Sequence, residues 1–131
     1  MKARILFLCL LLLPILSSKS FALVNDGNLL LSECIESEDF FRGNSPNGIA
    51  SRAAVSCASF VEGFRMGVFA SHSLYERAGV SKNEGICIPS TVTTIQLVPV
   101  LVNWLKENPR ELHQPSYILI MLAMREAYRC P

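Results

Sequence analysis

Four cysteines constrain this chain more than any other feature, and two of them, Cys87 and Cys130, bracket its last third. Between them run two helical patterns joined by Lys106-Glu107-Asn108-Pro109-Arg110. If those helices fold back on one another, their outer ends meet, as a disulfide requires of α-carbons that must come within about 7 Å. Cys34 and Cys57 flank the turn-rich stretch Arg42-Gly43-Asn44-Ser45-Pro46-Asn47-Gly48 in the same way. A pair of helical hairpins therefore favours 34 with 57 and 87 with 130, the crossed pairings staying open. A zinc site is set aside, because there is no C-x-x-C pair and His72 and His113 are not clustered in sequence.

Cysteine usage of this kind belongs to an oxidising compartment, and the first residues agree. Residues 1–22 read as a signal peptide: Lys2 and Arg4 precede an apolar run from Ile5 to Leu16, and Ser20-Phe21-Ala22 is a small-x-small cleavage site. The run is too short for a bilayer, which takes about 20 residues, so no membrane anchor is expected after processing. Cys9 leaves with the signal, and its removal leaves an even set of four. Residues 23–131 then form a single domain. Loss of Lys2, Arg4 and Lys19 turns the formal +1 of the whole chain into a mildly acidic balance, and no Lys/Arg run remains to neutralise phosphates. Nucleic acid is not an expected partner.

The patterning is helical throughout. Asp26 is a candidate N-cap for a helix over Asn28–Glu38, with Leu30, Leu31, Cys34 and Ile35 on one side. A longer helix is predicted from Ile49 or Ser51 to Ser71, where Cys57, Phe60, Val61, Phe64 and Val68 recur at helical spacing. Ser59, Gly63, Gly67 and Ser71 form a small-residue ribbon on another face. It suits close packing against a neighbouring helix within the chain, the favoured reading, or the seam of a homodimer. Beyond Ser71 the period fades, and His72 to Glu84 reads as a long surface loop with room for a turn of helix. A third helix starts at Thr91 or Thr94 and ends at Glu107, with Ile95, Val98, Leu101, Val102 and Leu105 as its stripe. Pro99 inside it predicts a kink or a late start. Pro115 is placed in the first turn of a fourth helix, whose stripe is Tyr117, Ile120, Met121, Met124 and Tyr128. No strand pattern competes, so the fold class is all-α: a small disulfide-stapled bundle of about four helices.

A search for chemistry is negative. There is no G-x-S-x-G, H-E-x-x-H, phosphate loop or dinucleotide fingerprint, and the acidic cluster Glu33, Glu36, Glu38 and Asp39 reads as a solvated face. The chain is expected to be a binding protein, not an enzyme, and to need no cofactor.

Gly85-Ile86-Cys87-Ile88-Pro89, Val92-Thr93, Gln96-Leu97, Trp104-Leu105, Asn108-Pro109, Leu112-His113 and the closing Ala127-Tyr128-Arg129-Cys130 together resemble the Rap/Tai family. Upstream, Cys57, Phe60-Val61 and Gly63 are similar to the same pattern. The sequence departs from it at Asn108, where the family often has histidine, and at Tyr128-Arg129, where it has Phe-Pro. The resemblance implies a periplasmic immunity protein that binds a peptidoglycan amidase effector of type VI secretion and occludes its Cys-His active site. A rigid body presenting a loop suits that task, since rigidity lowers the ordering cost of binding. Two segments are candidates for effector contact, Tyr75, Glu76 and Arg77 in the long loop and Arg110, Glu111, His113 and Gln114 in the last interhelical turn. Tyrosine and arginine are enriched among binding hot spots. The alternative function is a small periplasmic stress chaperone that binds unfolded clients, for which two staples and two histidines are a poor match.

Overall fold

The computed structural model describes residues 26–79 and 85–131. The expected signal peptide and residues 80–84 of the expected loop lie outside them. Four helices follow one another: α1, Gly27–Phe41; α2, Arg52–Ala78; α3, Thr94–Glu107; and α4, Ser116–Ala127, with single 3-10 turns at Pro46–Gly48 and Pro109–Glu111. Among the described residues the only β pairing is two isolated antiparallel bridges, Asp26 with Pro115 and Ile86 with Arg129.

Three of the four helices start at a side chain that caps them, the need that unpaired backbone groups at a helix start create. Asp26 accepts from Leu29 N at 3.0 Å and Ser51 accepts from Ala54 N at 3.0 Å. At α3, Thr93 N donates to the Gln96 side chain at 2.9 Å, the backward half of a capping box. Thr94 is the later of the two expected starts, and Pro99 falls in the second turn of an otherwise continuous helix. Pro115 stands just outside α4, as its extended N-cap, not in its first turn.

The core is a layer of Leu30, Cys34, Cys57, Val61, Ile88, Leu97, Val98, Leu101, Val102, Leu105, Leu119, Ile120, Ala123 and Met124, with Trp104 closing one side. Trp104 Nε1 donates to Glu126 at 2.8 Å and ties α3 to α4. Cys34 pairs with Cys57, with α-carbons 5.1 Å apart, and Cys87 pairs with Cys130, 4.9 Å apart. The first bond joins two helices inside the core. The second joins two extended arms, one ahead of α3 and one after α4.

Several expected stripes rotate. Ile95, Tyr117 and Met121 are half or more exposed, and Leu97, Trp104, Leu119 and Ala123 take the core places instead. α3 and α4 carry apolar residues on more than one face, so spacing alone does not say which face meets the bundle. The acidic cluster of α1 is not simply a solvated face. Ser56 Oγ donates to Glu33 at 2.9 Å, Ser51 Oγ donates to Glu36, and Glu38, nearly buried, holds Arg42 at 2.5 Å. Two of these carboxylates therefore lace α1 to the first turns of α2, where the helix dipole favours negative charge.

Gly27 was not singled out by the sequence. It is buried under the last interhelical turn, and a Cβ there would lie 2.4 Å from Leu119 Cδ1 and 2.8 Å from the Leu112 backbone. Its N–H donates to Leu112 O at 2.8 Å. Only glycine permits that close approach of α1 to the turn.

Candidate functional site

The expected loop after Ser71 is helix. α2 continues for two further turns to Ala78, and Gly79 ends it in the left-handed conformation at φ 65°. Apolar periodicity reports burial, and these turns bury none of their residues: 73–79 are all exposed. Tyr75, Glu76 and Arg77 thus sit on the projecting end of a helix of 27 residues, about 40 Å long at 1.5 Å per residue. A helical end of this kind is better fixed than a loop.

The second candidate segment has a structural task. Leu112 O and Gln114 O both accept from Gly27 N, at 2.8 and 3.2 Å, and Gln114 N donates to Glu111 O. His113 Nδ1 lies 2.8 Å from Arg110 O. Arg110 and His113 are exposed, and Glu111 and Gln114 are half-buried. The structure does not bring the two segments together. The Arg110–Gln114 turn precedes α4, whereas His72, one turn from Tyr75, lies beside Cys130 beyond the far end of α4. Those two ends are about 18 Å apart along the helix.

The small-residue ribbon is on the surface. Ser59, Gly63 and Gly67 are exposed, and open space surrounds the positions where Cβ atoms of Gly63 and Gly67 would lie. Packing against a neighbour within the chain, the favoured expectation, is overturned. The ribbon belongs to a strip with Val55, Met66, Ala70 and Leu74, bordered at its middle by Glu62, on which three large apolar side chains are 52–65 % exposed. By length and composition α2 could cross a membrane. Its disulfide to α1 and the charged pair Glu62 and Arg65 at its middle fix it in the bundle instead.

That charged pair joins α2 to α3. Arg65 donates to Glu62 from Nε at 2.8 Å and from Nη2 at 2.6 Å, and Thr94 Oγ1 donates to the same carboxylate. The Arg65 hydrogen bond first, then that of Thr94, hold the Glu62 carboxyl at about 2, below its ordinary 4.5. The Arg65 guanidinium also lies 5.1 Å from the centre of the Phe69 ring.

What these elements define is a helical domain stapled at two places, with one long helix projecting from it and a face of small and apolar residues left open along that helix. The chain belongs to the family of Rap1a immunity proteins, which it matches over residues 26–130, from the cap of α1 to the last cysteine. No curated protein and no solved structure matches it. The Val92-Thr93 and Gln96-Leu97 positions that carry the resemblance have a physical task here: Thr93 and Gln96 form the cap of α3, Leu97 is fully buried, and Val92 packs on the core.

Proposed function

We propose that this immunity protein acts in the periplasm, where it binds a peptidoglycan amidase effector of type VI secretion and blocks the effector's active site. The observation that carries the reading is the projecting end of α2, with Tyr75 half exposed and Arg77 exposed on a rigid helix. An element already ordered before binding spends little free energy on being immobilised, and a helical end is narrow enough to enter a cleft. The small-residue and apolar strip through Ser59, Gly63, Met66 and Gly67 supports a homodimer: glycines let two helix backbones approach closely, and the one carboxylate beside the strip, Glu62, is already paired with Arg65.

Titration of a candidate amidase with the processed protein should abolish peptidoglycan cleavage at one protein per enzyme. Tyr75→Ala with Arg77→Ala should weaken binding at least about tenfold, a loss of about 1.4 kcal/mol. Arg110→Ala with His113→Ala, at the other end of α4, should change it far less. If only the second pair matters, the blocking surface is the turn and not the helix end. Light scattering of the free protein tests the dimer, and a monomer at every concentration rejects the seam.

A further inference from the structure

Sequence spacing hides a cluster that the fold assembles. His72 is 15 positions ahead of Cys87 on a different element, yet its imidazole nitrogen and the Sγ atoms of Cys87 and Cys130 all lie within 4.8 Å of one another. All three residues are half-buried, open to small solutes but backed by protein. The other disulfide is the opposite in every respect: Cys34 and Cys57 are fully buried and no histidine is grouped with them.

The backbone keeps the two rim cysteines together without help from sulfur. Ile86 and Arg129 form an antiparallel bridge, Cys87 N donates to Tyr128 O at 2.7 Å, and Cys130 N donates to Gly85 O at 3.3 Å. Opening the S–S bond therefore leaves two thiols side by side, facing an imidazole anchored on α2. Two sulfurs and one nitrogen are the donor set that tetrahedral zinc prefers, at about 2.3 Å from sulfur and about 2.0–2.1 Å from nitrogen. Side-chain rotation about fixed α-carbons 4.9 Å apart is enough to separate the sulfurs to that spacing.

We propose that reduction of Cys87–Cys130 converts this cluster into a site for one Zn²⁺ ion, held by both sulfurs and the His72 imidazole with water in the fourth position. The reductant is a dithiol. Its two thiols are oxidised to a disulfide, the Cys87–Cys130 bond accepts the two electrons and breaks, and two protons pass to the freed sulfurs. Zn²⁺ then displaces both protons to solvent, because thiolate is the ligand. The metal re-joins the arms that the disulfide had joined, so the end of α2 keeps its support in either redox state.

The test uses the processed protein, reduced with a dithiol, desalted under argon and titrated with Co²⁺ and then Zn²⁺. Alkylation and mass spectrometry should place the free thiols at Cys87 and Cys130, with Cys34–Cys57 intact. One equivalent of Co²⁺ should give a thiolate-to-metal charge-transfer band that Zn²⁺ abolishes, and the oxidised protein should give none. Loss of even an outer partner of a metal ligand costs about 10–100-fold in affinity, so His72→Ala should weaken binding at least about tenfold. Cys87→Ser with Cys130→Ser should remove the band while the helical circular dichroism stays. The proposal is overturned by reduced, folded protein that shows no band, by His72→Ala binding as tightly as the wild type, by Cys34–Cys57 opening first, or by loss of helix when the rim bond alone is cut.

Discussion

The two halves of α2 are under different constraints although they are one helix. The inner half is fixed from several sides: Cys57 is bonded to Cys34, Ser51 and Ser56 donate to carboxylates of α1, and Ala54 and Val61 are buried. The outer half leaves the bundle: Phe69 still packs on the core and His72 lies beside the rim cysteines, but residues 73–79 are all exposed. Stability is therefore concentrated where the helix is covered, and the proposed binding end is where it is not. A rigid inner half is what allows the outer half to project while so little of it is buried.

The two disulfides offer the sharpest way to break that comparison, because loop length and burial predict opposite orders. Chain entropy assigns the wider bond, Cys87–Cys130 with a separation of 43 against 23, the larger effect, but only by about 0.5 kcal/mol out of roughly 3–4 for either. Removing two fully buried sulfurs also leaves a cavity, worth about 1 kcal/mol or more. Burial should win. Cys34→Ala with Cys57→Ala is expected to cost about 4–5 kcal/mol in urea unfolding, and Cys87→Ala with Cys130→Ala about 2–4. The reverse order would mean that loop closure, not the core, sets the stability of the inner half.

A smaller effect isolates the outer half. Gly79 has nothing within 4 Å of its Cβ position, so Gly79→Ala meets no clash and its whole cost is the left-handed conformation, about 1–2 kcal/mol. That cost should fall on the last turns alone. Amide exchange across residues 73–79 should accelerate while the urea midpoint stays nearly fixed; a shift of the midpoint by the full amount would show that the outer turns unfold with the core.

The same division decides what could be read from the sequence. In the inner half, Ser51, Cys57 and Val61 announce the helix because a cap and a buried stripe both leave residue-type signals. In the outer half the stripe stops at the edge of the bundle, and reading its loss as a loop confuses exposure with irregular backbone; Gly79 after Ala78 was the legible stop. Ile95, Tyr117 and Met121 mislead for a related reason, since an apolar residue on a short helix says nothing of which face is covered. The cap at Asp26 was legible and the need for glycine next to it was not, because that need arises from Leu112, far along the chain. Joining His72 to Cys87 and Cys130 likewise takes the fold, although each residue type was in view.

Glu62 stands at the boundary between the halves, and pH probes it. Its carboxyl ionises at about 2 in the folded protein against 4.5 as the ordinary value. Folded protein therefore gains stability from it above about pH 4.5, and that gain is lost as pH falls toward 2. The side chain is 41 % exposed, so solvent screening limits the effect to about 1 kcal/mol or less. Glu62→Gln should remove this part of the acid dependence, so that the stability difference from wild type narrows between pH 5 and pH 2. A constant difference would assign the tie to neutral hydrogen bonding with Thr94 alone.

The smallest expected effect lies one turn beyond Cys34, within the fixed region itself. Ser37 is fully buried, and its hydroxyl has no hydrogen-bond partner among the described residues. A buried unpaired hydroxyl costs about 1–3 kcal/mol in desolvation, whereas alanine at the same place carries no such cost and has the higher helix propensity. Against this stands the small void left by one oxygen. Ser37→Ala should therefore be neutral or stabilising by up to about 1 kcal/mol, the one substitution in the covered part of the bundle that does not weaken it. A loss of stability would require a partner for that hydroxyl in solution, a buried water being the first to look for by exchange-sensitive nuclear magnetic resonance.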